Sequence, residues 1–237
     1  MTERGRECVH RGRTELCVGP SQMRWTRDAL VIRIDEVSVP WLARLRGEIR
    51  VYPLALLQQS FALDAAGMHR WRPIAPCARV EVALQRPRMA WQGTGYFDSN
   101  EGDRALEQDF VRWDWSRGTT SDGRSFVLYD VARKASDDLA LALQFEPSGK
   151  IVQRRAPATA TLARSGWRMD RLTRCDDGGS AQVKRTMEDA PFYARTLVDT
   201  QLFGERVTCV HESLALERFA SPWCQWMLPF RMPRIAR

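Results

Sequence analysis

The chain lacks any run of about 18 apolar residues, the length a membrane-crossing helix needs, so no transmembrane helix is expected. It also lacks an apolar leader: Thr2 to Arg13 is charged, which reads as no secretory signal and places the chain on the cytosolic side of a membrane or in the cytosol. The six cysteines (Cys8, Cys17, Cys77, Cys175, Cys209, Cys224) form no C-x-x-C pair, and without export they are expected to be free thiols. Histidine is scarce, with only His10, His69 and His211. Cys209 and His211 stand at strand spacing, but two candidate ligands fall short of a zinc set, and a satisfied structural pair is the expected reading. There is no G-x-G-x-x-G fingerprint and no phosphate loop, so no nucleotide cofactor and no metal are expected. The net charge is +7, yet arginine is dispersed and no helix-turn-helix, finger or RRM pattern appears, which argues against nucleic acid as a partner.

What the chain does contain is β-type patterning. At 237 residues and 44% hydrophobic content it can bury a sizeable core, as one large β domain or two small ones. Short strands are expected at residues 29–35, 45–52, 78–84, 89–97, 110–117 and 124–131. They continue at 138–146, 151–158, 182–187, 194–202 and 207–213. Turn signals sit at Ser121-Asp122-Gly123, Glu146-Pro147-Ser148-Gly149 and Asp176-Asp177-Gly178-Gly179. Many short strands at nearly regular spacing predict a mainly β barrel or sandwich. The chain reads either as one domain or as two β halves, 1–131 with the motif described next and 132–237 with an amphipathic tail.

The segment WQGTGYFDSNEGDRALEQDFVRWDWSRG, Trp91 to Gly118, holds three tryptophans, a tyrosine, two phenylalanines, six carboxylates and four glycines. A plain core has no use for so many acids, and a plain surface has none for so many rings. An apolar pocket with one carboxyl group aimed into it needs both. Strand alternation puts Met89, Trp91, Gly93, Gly95 and Phe97 on one side and Ala90, Gln92, Thr94, Tyr96 and Asp98 on the other. Ser99 to Asp103 reads as a turn. The next strand carries Trp113 and Trp115 on one face and Arg112, Asp114 and Ser116 on the other. Among the competing acids, Asp114 faces away from its flanking tryptophans, and Asp103 and Glu107 read as turn and cap residues.

GYFDSNEGDRALE followed by FVRWDWSRG resembles the signature of acyclic carotenoid 1,2-hydratases, which add water to the end of neurosporene or lycopene in carotenoid biosynthesis. FALDAAGMHRWRPIAPCARVEV (Phe61 to Val82) and ERFASPWCQWMLPFRMPR (Glu217 to Arg234) are similar to that family too, so the likeness covers most of the chain. Ala105 stands where the family pattern has proline. Members usually have a substantial region before the part matching Met1 to Arg13, so the chain is expected to begin inside the domain. The resemblance implies a calycin-like, lipocalin-related β-barrel architecture and a cofactor-independent hydro-lyase. It further implies an essential aspartate at Asp98, with Tyr96 and Trp71 beside it.

Hydration of a trisubstituted terminal alkene requires protonation at C2, a tertiary cation at C1, and capture by water. Burial among rings is expected to keep Asp98 protonated, with Trp71, Trp91, Trp113 and Trp115 facing the substrate. Two other readings fit the same rings: a non-catalytic isoprenoid carrier, and a cyclase on the same scaffold. Phe219 to Arg237 sets Trp223, Trp226, Met227, Leu228 and Phe230 among Arg218, Arg231, Arg234 and Arg237. That composition suits either the membrane interface or a segment packed across the barrel mouth. Pro222, Pro229 and Pro233 argue against one long helix there.

Overall fold

Regular two-residue alternation of burial produces strands almost everywhere in this chain. The structure is a computed structural model and describes residues 2–38, 41–228 and 232–234. In chain order the first strands are β1 (Thr2–Arg4), β2 (Val9–Arg11), β3 (Glu15–Val18), β4 (Ser21–Trp25), β5 (Leu30–Val37) and β6 (Arg44–Pro53). Next come β7 (Phe61–Ala62), β8 (His69–Arg86), β9 (Arg88–Gly102), the short helix α1 (Leu106–Asp109), β10 (Phe110–Thr119), β11 (Ser125–Arg133), β12 (Leu139–Phe145) and β13 (Ile151–Gln153). The rest are β14 (Ala158–Leu162), β15 (Arg171–Cys175), β16 (Gln182–Asp189), β17 (Tyr193–Leu202), β18 (Glu205–Ala215), α2 (Leu216–Ala220), α3 (Pro222–Met227) and β19 (Met232–Arg234).

The chain divides into two compact units that interleave in sequence. The first comprises residues 1–54, 78–96 and 228–237; the second comprises 55–77 and 97–227. β8 and β9 each contribute residues to both. In the first unit β2 to β6 run as an antiparallel meander, and β6 pairs with β8 from Ala78 onward. Leu30, Val51, Val80 and Val82 are buried there. At the chain ends β1 pairs in parallel with β19.

The second unit is built on a seven-stranded sheet in the order β13-β12-β11-β10-β18-β17-β16. β14 and β15 form a separate pair, and β7 pairs with the start of β8 through Phe61 and Trp71. In the large sheet β18 and β17 alternate buried and partly exposed residues with little interruption, as a sheet with two different faces requires. One face holds an apolar cluster of Phe126, Leu128, Ala142, Leu202, Val207 and Cys209. Each large side chain buried this way contributes about 1.5–3 kcal/mol. The opposite face carries Trp113, Trp115 and Tyr129.

The mainly β expectation is met, and both large sheets are antiparallel. Barrel closure is not met: among the described residues neither large sheet joins its outer strands to each other. The turn expected at Ser99 to Asp103 is also corrected, because β9 continues through Gly102 and pairs with β8. The Asp103 N–H then donates to the Met68 carbonyl at 2.9 Å. Pairing to a long neighbour outweighs the local turn preference of Ser-Asn-Glu-Gly. The expected strand at residues 151–158 is two short strands, β13 and β14, separated by coil. All six cysteines are free thiols. The tail from Phe219 onward begins within α2 and α3, and Pro229, Phe230, Arg231 and Arg237 lie outside the described residues.

Candidate active site

β8 enters the second unit with His69 and Trp71 on its inward side, two residues apart, and both are fully buried. The Trp71 indole N–H donates to Asp98 Oδ2 at 2.8 Å, which ties β8 to the last part of β9. Asp98 itself is half-buried. The Trp71 ring packs against Phe61 with centroids 5.5 Å apart, and edge-on against Tyr129, also at 5.5 Å. Tyr129 in turn meets Trp113 edge-on at 6.0 Å. Its hydroxyl donates to Asn100 Oδ1 at 3.4 Å, a long bond. Burial, followed by the charges of Asp98 and Glu212, pushes the Tyr129 phenol up. The result is one carboxyl group bonded to the first of a chain of packed rings, Trp71, with Phe61 and Tyr129 against it and Trp113 beyond Tyr129.

The structure therefore brings Trp71 and Asp98 together and links Trp113 to Trp71 through Tyr129. Trp115 lies on the same face of β10, directly opposite Tyr129 across the β10–β11 ladder. Tyr96 is two residues before Asp98 on β9 and so on the same strand face; it closes the first unit's share of that strand. Trp91 also belongs to the first unit, on a stretch of β9 exposed on both faces, and its ring is about half exposed.

Two residues that the sequence did not single out complete the support of the site. His69 Nε2 is 2.7 Å from Asp109 Oδ2, and its ring packs against Phe110 at 4.8 Å. Burial pushes the Asp109 carboxyl up, but hydrogen bonds from Arg104 and His69 hold it below the usual range. An ionised Asp109 makes Nε2 the protonated nitrogen of His69. Nδ1 has no hydrogen-bond partner among the described residues and sits against Gly102, where a Cβ would come within 2.8 Å of it. The usable signal was the H-x-W spacing, which puts His69 and Trp71 on one face of a strand. Nothing in the sequence marked Asp109 as its partner.

Asp114 points to the other face of the sheet, as strand alternation predicts. It accepts from Ser213 Oγ at 2.6 Å and from the Leu172 N–H at 3.3 Å. Ser213 also contacts His211 Nε2 at 3.0 Å, and His211 Nδ1 lies 2.7 Å from Ser116 Oγ. Burial pushes Asp114 up to about 6. Burial, and then the nearby Arg171 charge, pushes His211 down to about 3. Beside Asp114 is a cavity of about 140 Å³ lined by Arg112, Asp130, Leu172 and Arg174, well under the about 300 Å³ at which organic-ligand pockets begin. Cys209 lies in the apolar cluster and His211 among serines, which accounts for both as structural residues. Of the other acids, Asp103 pairs with Arg70 at 3.0 Å. Glu107 lies in the first turn of α1, whose N-cap is Ala105 without a side-chain cap.

The pattern of the Carotenoid hydratase CrtC family matches residues 1–237. The chain belongs to this family. It is 49% identical over 99% of its length to an acyclic carotenoid 1,2-hydratase of Thiocapsa roseopersicina, and 45% identical over its whole length to that of Rubrivivax gelatinosus. It spans 58% of the length of each of these two CrtC relatives. An acyclic carotenoid 1,2-hydratase of Cereibacter sphaeroides is 40% identical, and 84% of its length is covered. Among solved structures, the crystal structure described as an AttH from Nitrosomonas europaea superposes with a TM-score of 0.61. It covers 88% of this chain and 71% of its own at 15% identity, a likeness of fold alone. Among the described residues of this CrtC chain, no helix is long and apolar enough to cross a membrane.

Proposed function

We propose that this chain hydrates the terminal C1–C2 double bond of an acyclic carotenoid such as neurosporene or lycopene, without a cofactor. The observation that carries the reading is the Trp71 Nε1–Asp98 Oδ2 hydrogen bond within a cluster of Phe61, Trp113 and Tyr129. An indole N–H only donates, so Asp98 Oδ2 is its acceptor, and Asp98 holds a proton before the alkene arrives. Asp98 delivers that proton to C2, and the positive charge develops at C1, where it is tertiary. Water then attacks C1 and loses a proton to give the tertiary alcohol.

The alkene is neutral and the cation is not, so groups that favour positive charge act selectively on the transition state. Ring faces do this at about 0.5–2 kcal/mol each, and 1.4 kcal/mol is tenfold in rate. Trp71, Trp113 and Trp115 are the rings we assign to this task. Tyr96, on the face of β9 that carries Asp98, orients the water or the carboxyl group. We also read the sheets as calycin-like, supported by the antiparallel meanders β10–β13 and β16–β18.

The substrate is a membrane lipid, and we propose peripheral association with the bilayer. Trp226 is 87% exposed on α3 and Trp223 is half-exposed beside it, in a chain of net charge +7. The test of the function is incubation with lycopene-bearing membranes. A product heavier by one water is expected, and Asp98→Asn should abolish it while the fold and carotenoid binding persist. A protein that binds lycopene and returns it unchanged would be a carrier. Undiminished turnover by the Asn variant would remove Asp98 from the mechanism.

A further inference from the structure

Acid-catalysed hydration needs two proton transfers, and Asp98 accounts for one. Water that attacks C1 becomes a protonated alcohol and must lose a proton to some acceptor. The seven-stranded sheet places a second carboxylate on its aromatic face. Reading straight across the ladders, Tyr129 on β11 is opposite Trp115 on β10, Trp115 is opposite Glu212 on β18, and Glu212 is opposite Arg195 on β17. Residues directly opposite one another point to the same face, so these four form one transverse row.

From this row we infer that Glu212 is the general base that takes the proton of the attacking water. The inference rests on the hydratase reading given above. Strands lie about 4.8 Å apart, so the backbones of Tyr129 and Glu212 are about 10 Å apart with Trp115 between them. Asp98 is anchored at the Tyr129 end of the row through Trp71, whose ring meets Tyr129 at 5.5 Å. Acid and base therefore both stand next to Tyr129, Asp98 by way of Trp71 and Glu212 by way of Trp115. The electrostatics agree with this placement: the phenol of Tyr129 is pushed up by burial first and then by both carboxylates, Asp98 and Glu212.

Glu212 is held in place and open to water. Arg195 Nε donates to its Oε1 at 2.9 Å, which keeps the group ionised and orients it. Its side chain is 23% exposed, so water can reach it. Burial, and then the Glu212 charge, also push the Tyr193 phenol up, while the Arg195 bond fixes the orientation of the acid. Arg195 pairs with Glu188 as well, at 3.4 Å, so its charge is compensated and does not oppose a cation nearby.

The protons balance. Asp98 loses one to C2, the electron pair of the double bond forms that C–H bond, and a lone pair of water forms the C1–O bond. The surplus proton of that oxygen goes to Glu212. Transfer from Glu212 back to Asp98 through solvent resets the pair, and the net change is addition of one water.

The experiment compares wild type, Glu212→Gln and Glu212→Ala on lycopene-bearing vesicles, with sodium formate added to the alanine variant. Hydration by Glu212→Gln should fall about 100-fold or more while its melting temperature and lycopene binding are retained. Formate should restore part of the activity of Glu212→Ala, which a purely structural salt bridge would not allow. Hydration by Glu212→Gln within threefold of wild type overturns the assignment, as does a folded Glu212→Ala that formate fails to rescue. If the alanine variant does not fold, the pH profile of Glu212→Gln decides. A base role predicts that the acid-side fall of the wild-type rate disappears, and its persistence overturns the role. A wild-type chain that binds lycopene without hydrating it would instead remove the hydratase reading itself.

Discussion

Trp71 has two duties, since it is both a fully buried side chain and the donor to Asp98. Trp71→Phe keeps a ring but deletes the N–H. Loss of a hydrogen bond to an ionisable group is worth about 1.5–3 kcal/mol, so hydration is expected to fall about 10- to 100-fold. The melting temperature should drop too, because the smaller ring leaves a void. Comparing initial rates with thermal unfolding of the same variant separates the two effects. Asp114 offers a second residue-level test. Its folded value of about 6 lies above the ordinary 3.8, so the folded state holds more protons than the unfolded one in that interval. Its contribution to stability is then most favourable below about pH 4 and is lost as pH rises through 6. Asp114→Asn removes this dependence. Its stability relative to wild type should rise by about 3 kcal/mol between pH 4 and pH 7, measured by urea unfolding at both. A pH-independent difference would mean that the Asp114 carboxyl titrates as it does in water.

At the level of the strand, Gly118 shows how an element accommodates an aromatic neighbour. It lies directly opposite Phe126 on β11, and a Cβ on it would come within 2.5 Å of Phe126 Cζ. The ring occupies the place of the missing side chain, as aromatic groups do opposite strand glycines. Gly118→Ala should cost about 1–3 kcal/mol by chemical denaturation. Adding Phe126→Leu should recover part of that loss, giving a double variant more stable than the sum of its parts. The alternation of β10 was legible in FVRWDWSRG and correctly separated Asp114 from Trp113 and Trp115. The end of β9 was not, because Ser-Asn-Glu-Gly has turn chemistry and only pairing with β8 keeps it extended. For the same reason His69–Asp109 escaped notice: the two are 40 residues apart and meet only once β8 and α1 are in place.

The molecule as a whole is a basic chain whose exposed tryptophans include Trp41, Trp223 and Trp226. With vesicles containing anionic lipid, binding should be measurable by co-sedimentation and should weaken as salt is raised. Trp226→Ser should weaken it further without changing the melting temperature, since the side chain is 87% exposed and packs against little. Equal binding to neutral and anionic vesicles at all salt concentrations would argue against a role for the arginines.

Composition and two-residue periodicity were enough to identify most of the longer strands and the acid–aromatic segment that contains Asp98, because these are properties of neighbouring residues. The short strands β2 to β4, β14 and β15 and the first half of β8 were not expected. Cross-strand partnership is a different kind of fact. That Trp71 bonds Asp98, that Tyr129 bridges Trp71 and Trp113, and that Glu212 stands in one row with Trp115 all depend on register between strands far apart in sequence. A shift of a single residue in any of those ladders would turn each of these side chains to the opposite face. The local pattern is the same in either register, so only the folded sheet selects which acid meets which ring.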